Sequence, residues 1–328
     1  MPYPDAMSLA EFDLIDRIRA RMTPREDIVL GIGDDAALLR MPAGQQLVVT
    51  ADTLNEGVHF PVGTAPYDIG WKALAVNLSD LAAMGAHPAW CTLSLSLPHS
   101  DAAWLEAFID GFLFLATQRG IALVGGDTTR GPLSISVTAM GRVAPDRALR
   151  RDAARIGDDI WVTGTLGDAA AALALLGEGE SVASGEVLAA LRQRLDRPEP
   201  RNAAGIALVG IAHACIDISD GVLADLGHIC TRSAVAAEVE LAQLPASDAL
   251  HSLGTGEALW PWQASGGDDY ELCFTAPQEA RKSITTLAAT LGLRFTRIGR
   301  IVEGQGVRAI GAHGQPWQPQ RRGYQHFG

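Results

Sequence analysis

The spacing of apolar and polar positions changes period several times along the first 145 residues. Ser8 and Glu11 form a capping box, and Phe12, Ile15, Ile18 and Met22 follow at helical spacing, which predicts a helix over 8–21. Short apolar runs at 28–32 and 46–51 predict strands ending at Gly33-Asp34-Asp35 and at Asp52. A helix is expected from about Tyr67 to Met84, stopped by Gly85 as a good C′ residue. Residues 91–98 alternate cleanly as a strand, and 101–119 form an amphipathic helix ending at Gly120. The short run IALVGG and the alternating stretch 134–143 complete an order near β-β-α-β-α-β-β. That order suits an α+β domain better than a regular βαβα series.

The second half has a different texture. A charged stretch, DRALRRDAARIGDDI, suggests a linker and puts a boundary near 145–155, dividing the chain into 1–148 and 149–328. Beyond it, Ala-rich helices are expected at 168–176, 186–195, 202–213 and 220–231, with short strands at 160–163, 270–275 and 296–302. The 175–190 stretch, rich in Gly, Glu and Ser, suggests a surface connection. No internal repeat is evident.

Composition narrows the class. With 328 residues, 48% of them hydrophobic and 20% charged, the chain has material for two packed domains and is not a disordered sequence. A net charge of −12 argues against a nucleic-acid partner, because phosphate backbones reward basic surfaces. It does not argue against a nucleotide, since bound divalent cations invert the local field. Cys91, Cys215, Cys230 and Cys273 lie far apart without a CxxC pair, so neither a disulfide framework nor a zinc site is expected. No uncharged h-region stands near the first residues, and no segment approaches the roughly 20 apolar residues of a spanning helix. A cytoplasmic protein with no membrane partner is the expectation.

The chemistry is carried by aspartates that close apolar or Gly-rich runs. They are Asp34 and Asp35 in GIGDD, Asp52 in VVTADT, Asp80 in VNLSDLAAMG, Asp127 in LVGGDTTRG, Asp217 and Asp220 in CIDISDG, and Asp268 and Asp269 in ASGGDDYE. One Asp before a turn is commonly an N-cap. Asp80 is different, because it falls mid-helix among apolar residues. At an effective dielectric near 20, two like charges about 4 Å apart cost roughly 4 kcal/mol, and a cation between them reverses the sign. Hard oxygen donors in this number therefore point to Mg²⁺ and phosphate chemistry, with the aspartates converging in space. GIGDDA also fits the dinucleotide pattern G-x-G-x-x-A, but two aspartates on a pyrophosphate turn would oppose the ligand. Gly125, Gly126 and Thr128 around Asp127 suggest a phosphate-approach loop, and Arg130, Arg150 and Arg151 are candidate phosphate clamps. There is no G-x-x-x-x-G-K-[ST] loop, no H-R-D with D-F-G, no G-x-S-x-G and no H-E-x-x-H.

These segments together resemble the thiamine-monophosphate kinase family. Its superfamily includes aminoimidazole ribonucleotide synthetase, selenide water dikinase and hydrogenase-maturation proteins. The resemblance runs through GIGDDAAL, ADTLNEGVHF, KALAVNLSDLAAMGAHPAW, GGDTTRGPLSISV, VTGTLGD, IDISDGVLADLGH, SGGDDYELCF and GYQHF. It implies an α+β, two-domain aminoimidazole ribonucleotide synthetase-like fold, with an N-terminal α+β dimerisation domain and a C-terminal α/β domain. It implies transfer of the γ-phosphate of ATP to thiamine phosphate by a homodimer that uses several Mg²⁺ ions. Carried over by motif, Asp35, Thr50, Asp52, Asp80, Asp127, Asp217 and Asp220 would be metal ligands. Gly126, Asp127, Arg151 and Ser219 would bind ATP, and His59, Asp268 and Tyr324 would line the thiamine phosphate pocket. The chain departs from the family pattern at Ala51, where a hydroxyl is usual, and at Asp268, where Glu is common. Three other readings stay open on residues alone: a purine-biosynthetic synthetase of the same superfamily, a non-catalytic Mg-nucleotide sensor, and a dinucleotide oxidoreductase.

Overall fold

In a computed structural model the described residues are 11–178, 184–319 and 323. They form two compact units, one of residues up to Leu81 with His87–Pro145, the other of Ala82–Ala86 with the chain from Asp146 onward.

The first unit contains α1 (Glu11–Arg19), β1 (Ile28–Leu30), β2 (Leu38–Leu39), β3 (Gln46–Asn55), α2 (Pro66–Ala83), β4 (His87–Leu97), α3 (Ala102–Arg119), β5 (Ala122–Arg130) and β6 (Ser134–Val143), the last residues of α2 grouping with the second unit. Four strands pair in the order β3-β6-β4-β5, antiparallel except for β4 with β5. Alternation decides what each face sees. In β6 every second residue from Ile135 to Val143 is buried, and in β4 Leu93, Leu95 and Leu97 are buried while Ser94 is exposed. Leu74, Leu78, Phe108 and Phe112, from α2 and α3, add fully buried side chains. Helix α3 starts on Asp101, whose carboxylate accepts from Ala103 N–H and Trp104 N–H, and stops on Gly120.

Two expected boundaries move, for a shared reason. β3 continues past Asp52 to Asn55, because Thr53 and Leu54 keep the alternation and pair with Ser136 and Ile135. β5 continues through Gly125-Gly126-Asp127, so the expected phosphate loop is instead a strand laid parallel to β4, with a bulge between Cys91 and Thr92. In both places a neighbouring strand supplies hydrogen bonds that local sequence does not reveal. Ser8, half of the expected capping box, lies outside the described residues.

The second unit holds β7 (Asp159–Thr163), α4 (Asp168–Glu178), α5 (Gly185–Asp196), α6 (Asn202–Leu208), β8 (Ala214–Asp217), α7 (Val222–Ser233), β9 (Ala236–Glu240), α8 (Asp248–His251), α9 (Trp260–Ser265), β10 (Leu272–Ala276), α10 (Arg281–Leu291), β11 (Phe295–Val302), β12 (Gly306–Ile310) and β13 (Pro316–Trp317). Its seven strands run β13-β12-β9-β11-β7-β10-β8, and β12 is parallel to β9. Every residue of β7, β10 and β8, the three strands at one end of this sheet, is buried, so that end is covered on both faces. Ile160 and Val162 pack with Ile216, Leu226 and Ile298 in one core, while Trp161 packs with Leu208, Phe274 and Ile284 in another.

The helix expected over 202–213 ends at Leu208, because 214–217 pair with β10 as a strand. The expected surface connection at 175–190 is largely helical, apart from 179–183, which lie outside the described residues. The charged stretch expected as a linker is partly tied down, since Arg150 bridges to Ala214 and Asp159 begins β7.

Candidate active site

The first group of carboxylates stands where β3 meets α2. Alternation turns Val48, Thr50, Asp52 and Leu54 to the less exposed side of β3, and Leu47, Val49, Ala51 and Thr53 to the exposed side. On α2, Asn77 and Asp80 share a face at i,i+3. The Thr50 hydroxyl donates to the Asp80 carboxylate. Buried Asn77 accepts the Asp52 N–H (3.0 Å) and donates to Ala73 O (3.1 Å), which fixes its amide at both ends. β3 is an edge strand, so this side-chain acceptor serves an N–H that faces no further strand.

Burial, and then the negative charge of Asp80, pushes the Asp52 carboxyl up to about 6. Two carboxylates and a hydroxyl at one spot form a hard-oxygen set that fits a divalent cation, whose charge would reverse the repulsion. Within the first unit Thr50, Asp52 and Asp80 are brought together. Among the described residues no group of three or more His, Cys, Asp or Glu could hold a metal ion. Asp35 and Asp127 are both exposed, Asp35 in the turn after β1 and Asp127 on β5.

His59 follows β3 in a tight turn. Its Nδ1 accepts the Asn55 N–H (2.9 Å), so the neutral ring carries its proton on Nε2 as a donor. Gly126 has φ +149°, and a Cβ there would lie 1.8 Å from Leu93 O, so no other residue fits beside β4. Asp127 and Gly126 edge a cavity of about 80 Å³ whose apolar wall includes Ile15, Ile18, Ile32 and Leu123.

The second group is built at the end of β8. Asp217 closes the strand and is 5% exposed, and Ser219 and Asp220 form the turn into α7. Buried Asp225, from the first turn of α7, accepts from Ser219 N–H (3.1 Å) and Asp220 N–H (3.0 Å). Burial and the Asp220 charge push the Asp225 carboxyl up to about 7, while those two amides and the charge of Arg151 draw it down. Arg151 is exposed beside β8, because Cys215 N–H donates to Arg150 O (3.1 Å). Arg150 itself is engaged by Asp152 at 2.8 and 2.5 Å, so it is a weaker candidate clamp than its neighbour. Arg130 is exposed at the end of β5.

The segment 266–271 runs beside that turn. Asp268 N–H donates to Ser219 O and Tyr270 N–H to Ile218 O, both at 2.8 Å. A Cβ on Gly267 would meet Ser219 O at 2.3 Å, so the approach requires glycine. Asp268 (φ 66°) and Tyr270 (φ 49°) are both left-handed, at roughly 1–2 kcal/mol each. The residues between and after them anchor the segment. Asp269 Oδ1 accepts from Gly167 N–H (2.8 Å), and burial pushes that carboxyl well above the usual range, so it acts as an internal post. Glu271 is 0% exposed and takes Arg194 (2.7 Å), Arg201 (2.6 and 2.5 Å) and the Thr163 hydroxyl (2.7 Å). The Tyr270 hydroxyl donates to Asp268 Oδ1 at 3.0 Å. Tyr324 lies outside the described residues.

Residues 33–143 match the family model described as AIR synthase related protein, N-terminal domain, and 155–312 match its C-terminal domain. The thiamine-monophosphate kinase of Escherichia coli (strain K12) is 47% identical over 322 residues, covering 98% of this chain and 99% of that protein. The chain belongs to the thiamine-monophosphate kinase family. Among solved structures, thiamine-monophosphate kinase from Stenotrophomonas maltophilia K279a superposes with a TM-score of 0.87 at 61% identity, over 93% of this chain and 98% of that one. AaThiL complexed with AMPPCP and TMP superposes with a TM-score of 0.77 at 34% identity, over 100% and 99%.

Within this thiamine-monophosphate kinase family member, sequence reasoning missed the supports of the candidate site. Asn77 could have been found from its i,i+3 spacing to Asp80, and Asp225 from its place in the first turn of α7. Glu271 with Arg194 and Arg201 had no such signal, since partners separated by 77 and 70 residues meet only in the fold.

Proposed function

We propose that this chain transfers the γ-phosphate of ATP to thiamine phosphate, giving thiamine diphosphate and ADP. The observation that carries the reading is its end-to-end similarity to the structure complexed with AMPPCP and TMP. Asp35, Thr50, Asp52, Asp80, Asp127, Asp217 and Asp220 would hold Mg²⁺, and the raised carboxyl of Asp52 beside Asp80 supports a cation there. Bound Mg²⁺ would screen the charge of the phosphates that must approach each other.

The remaining steps fall to the chain's own groups. The acceptor is a phosphate monoester, already largely ionised at pH 7, so no side chain need remove a proton. Arg151 and the Ser219 hydroxyl would bind ATP phosphates, and Gly126 would let them approach the β5 backbone. His59 would offer Nε2–H to thiamine phosphate, with Asp268 and Tyr324 contacting the same substrate. Catalysis is then chiefly positioning and electrostatics.

A homodimer through the first unit fits the open side of β3, where Leu47 (49% exposed) and Val49 (55%) lie on an edge strand. Val49→Glu is expected to yield monomers by sedimentation; an unchanged dimer would rule out this face. No helix among the described residues is long and apolar enough to cross a membrane, and an ATP-dependent reaction suits the cytoplasm.

The decisive assay is coupled ADP release with thiamine phosphate, with and without Mg²⁺. The expected result is release that requires both. Equal release with formylglycinamidine ribonucleotide would favour the synthetase, and ATP binding without release would favour a sensor.

A further inference from the structure

The segment Gly266–Glu271 has a construction that substrate contact by one carboxylate would not by itself require. Asp269 and Glu271 are turned inward and locked, one on Gly167 N–H and the other on Arg194, Arg201 and Thr163. On either side of the Asp269 post the backbone is left-handed, at Asp268 and again at Tyr270. Strain of this kind persists only where surrounding contacts over-determine it, and it gathers at functional sites. Its effect here is to bring the two side chains together, so that the Tyr270 hydroxyl donates to Asp268 Oδ1 at 3.0 Å. The ring of Tyr270 is buried, so the phenol is a fixed donor, while Asp268 is half-buried. The short Asp side chain has few rotamers, and one oxygen is taken by the phenol. The carboxylate is thereby presented in one orientation.

We propose that Tyr270 is a positioning residue that holds Asp268 for the amine-bearing, cationic ring end of thiamine phosphate, not for its phosphate. The inference rests on the proposed function. Carboxylate chemistry carries the choice of end. An aspartate repels a phosphate, but it attracts a thiazolium cation and accepts from an aminopyrimidine N–H. The phenol makes the match directional. Tyr270 donates to the oxygen that the substrate does not use, and so sets where the other oxygen points.

The test is a steady-state comparison of wild type, Tyr270→Phe, Asp268→Asn and the double variant. KM for thiamine phosphate, KM for ATP, kcat and inhibition by free thiamine are measured for each. Tyr270→Phe is expected to raise KM for thiamine phosphate about tenfold and to weaken thiamine inhibition by the same factor. Its kcat and KM for ATP should stay within about twofold of wild type. The double variant should be no worse than Asp268→Asn, because the phenol acts through that carboxylate. An unchanged KM in Tyr270→Phe, or losses that add in the double variant, would overturn the proposal. So would a parallel fall in kcat, ATP affinity and melting temperature, which would mark a merely structural phenol. Thiamine that fails to inhibit wild type, or inhibits all four proteins equally, would overturn the assignment to the ring end. Wild-type turnover of thiamine phosphate in the same series tests the underlying reading separately.

Discussion

In the first unit Thr50 and Asp52 project from within a strand and Asp80 from the last turn of a helix, whereas in the second Asp217, Ser219 and Asp220 sit on a strand end and the turn after it. The first set is placed by regular periodicity, and its carboxylates oppose one another, so that a candidate ligand, Asp52, has the raised pKa. The second set is placed by scaffolding. There the burden falls on Asp225, a buried carboxyl that serves the turn's amides, and on Glu271 with its two arginines. Regular elements place their side chains by period alone. An irregular turn needs a second layer of polar groups before it can present a side chain at all.

The contrast can be broken most sharply at Glu271. Glu271→Gln strips a carboxylate from Arg194 and Arg201 where both are largely buried, and is expected to cost about 3 kcal/mol or more, read by urea unfolding. A loss below 1 kcal/mol would mean the arginines are served by solvent and the scaffold reading fails. Next come the two presented sets. Asp52→Asn and Asp217→Asn should each lower kcat by roughly 10²–10³-fold with circular dichroism unchanged, if both serve the same transfer. A variant that keeps near-wild-type turnover at saturating Mg²⁺ would remove its set from the reaction.

The smallest effects carry the clearest sign. Asp225→Ala should destabilise by about 1–3 kcal/mol, since it leaves the Ser219 and Asp220 amides without their acceptor. Asp52→Asn should do the reverse in Mg²⁺-free buffer. The Asp52 carboxyl binds its proton more tightly folded than unfolded, so its favourable share of stability is complete below pH 3.8 and lost as pH rises through about 6. Replacing it should therefore gain about 1–3 kcal/mol at pH 8 and nothing at pH 3.5. Added Mg²⁺ at pH 8 should raise the melting temperature of wild type more than that of Asp52→Asn. Equal gains would count against a cation at Asp52.

Legibility followed the same division. The α3 helix and the β6 strand were readable because Asp101, Gly120 and strict alternation are local signals. Asp52 was recognised but misplaced at a strand end, because the pairing of Thr53 and Leu54 with β6 depends on a segment more than 80 residues later. Gly125 and Gly126 looked like a loop for the same cause, their partner being β4. Tyr270 drew no notice as a polar residue, since nothing in DDYE signals that its backbone turns left-handed and folds the phenol back onto Asp268.

Amino-acid order alone settled the chemical inventory: recurring aspartates next to glycines, an Asp inside an apolar helix, no sequence pattern for a nucleophilic triad, and the family to which such motifs belong. Position along a chain fixes which groups exist and, within one helix or strand, which of them share a face. Only the tertiary structure decided which carboxylates oppose each other, which are internal posts and which are presented. Those outcomes depend on burial and on hydrogen bonds between residues distant in sequence, and both come into being only when the strands pair and the helices close over them.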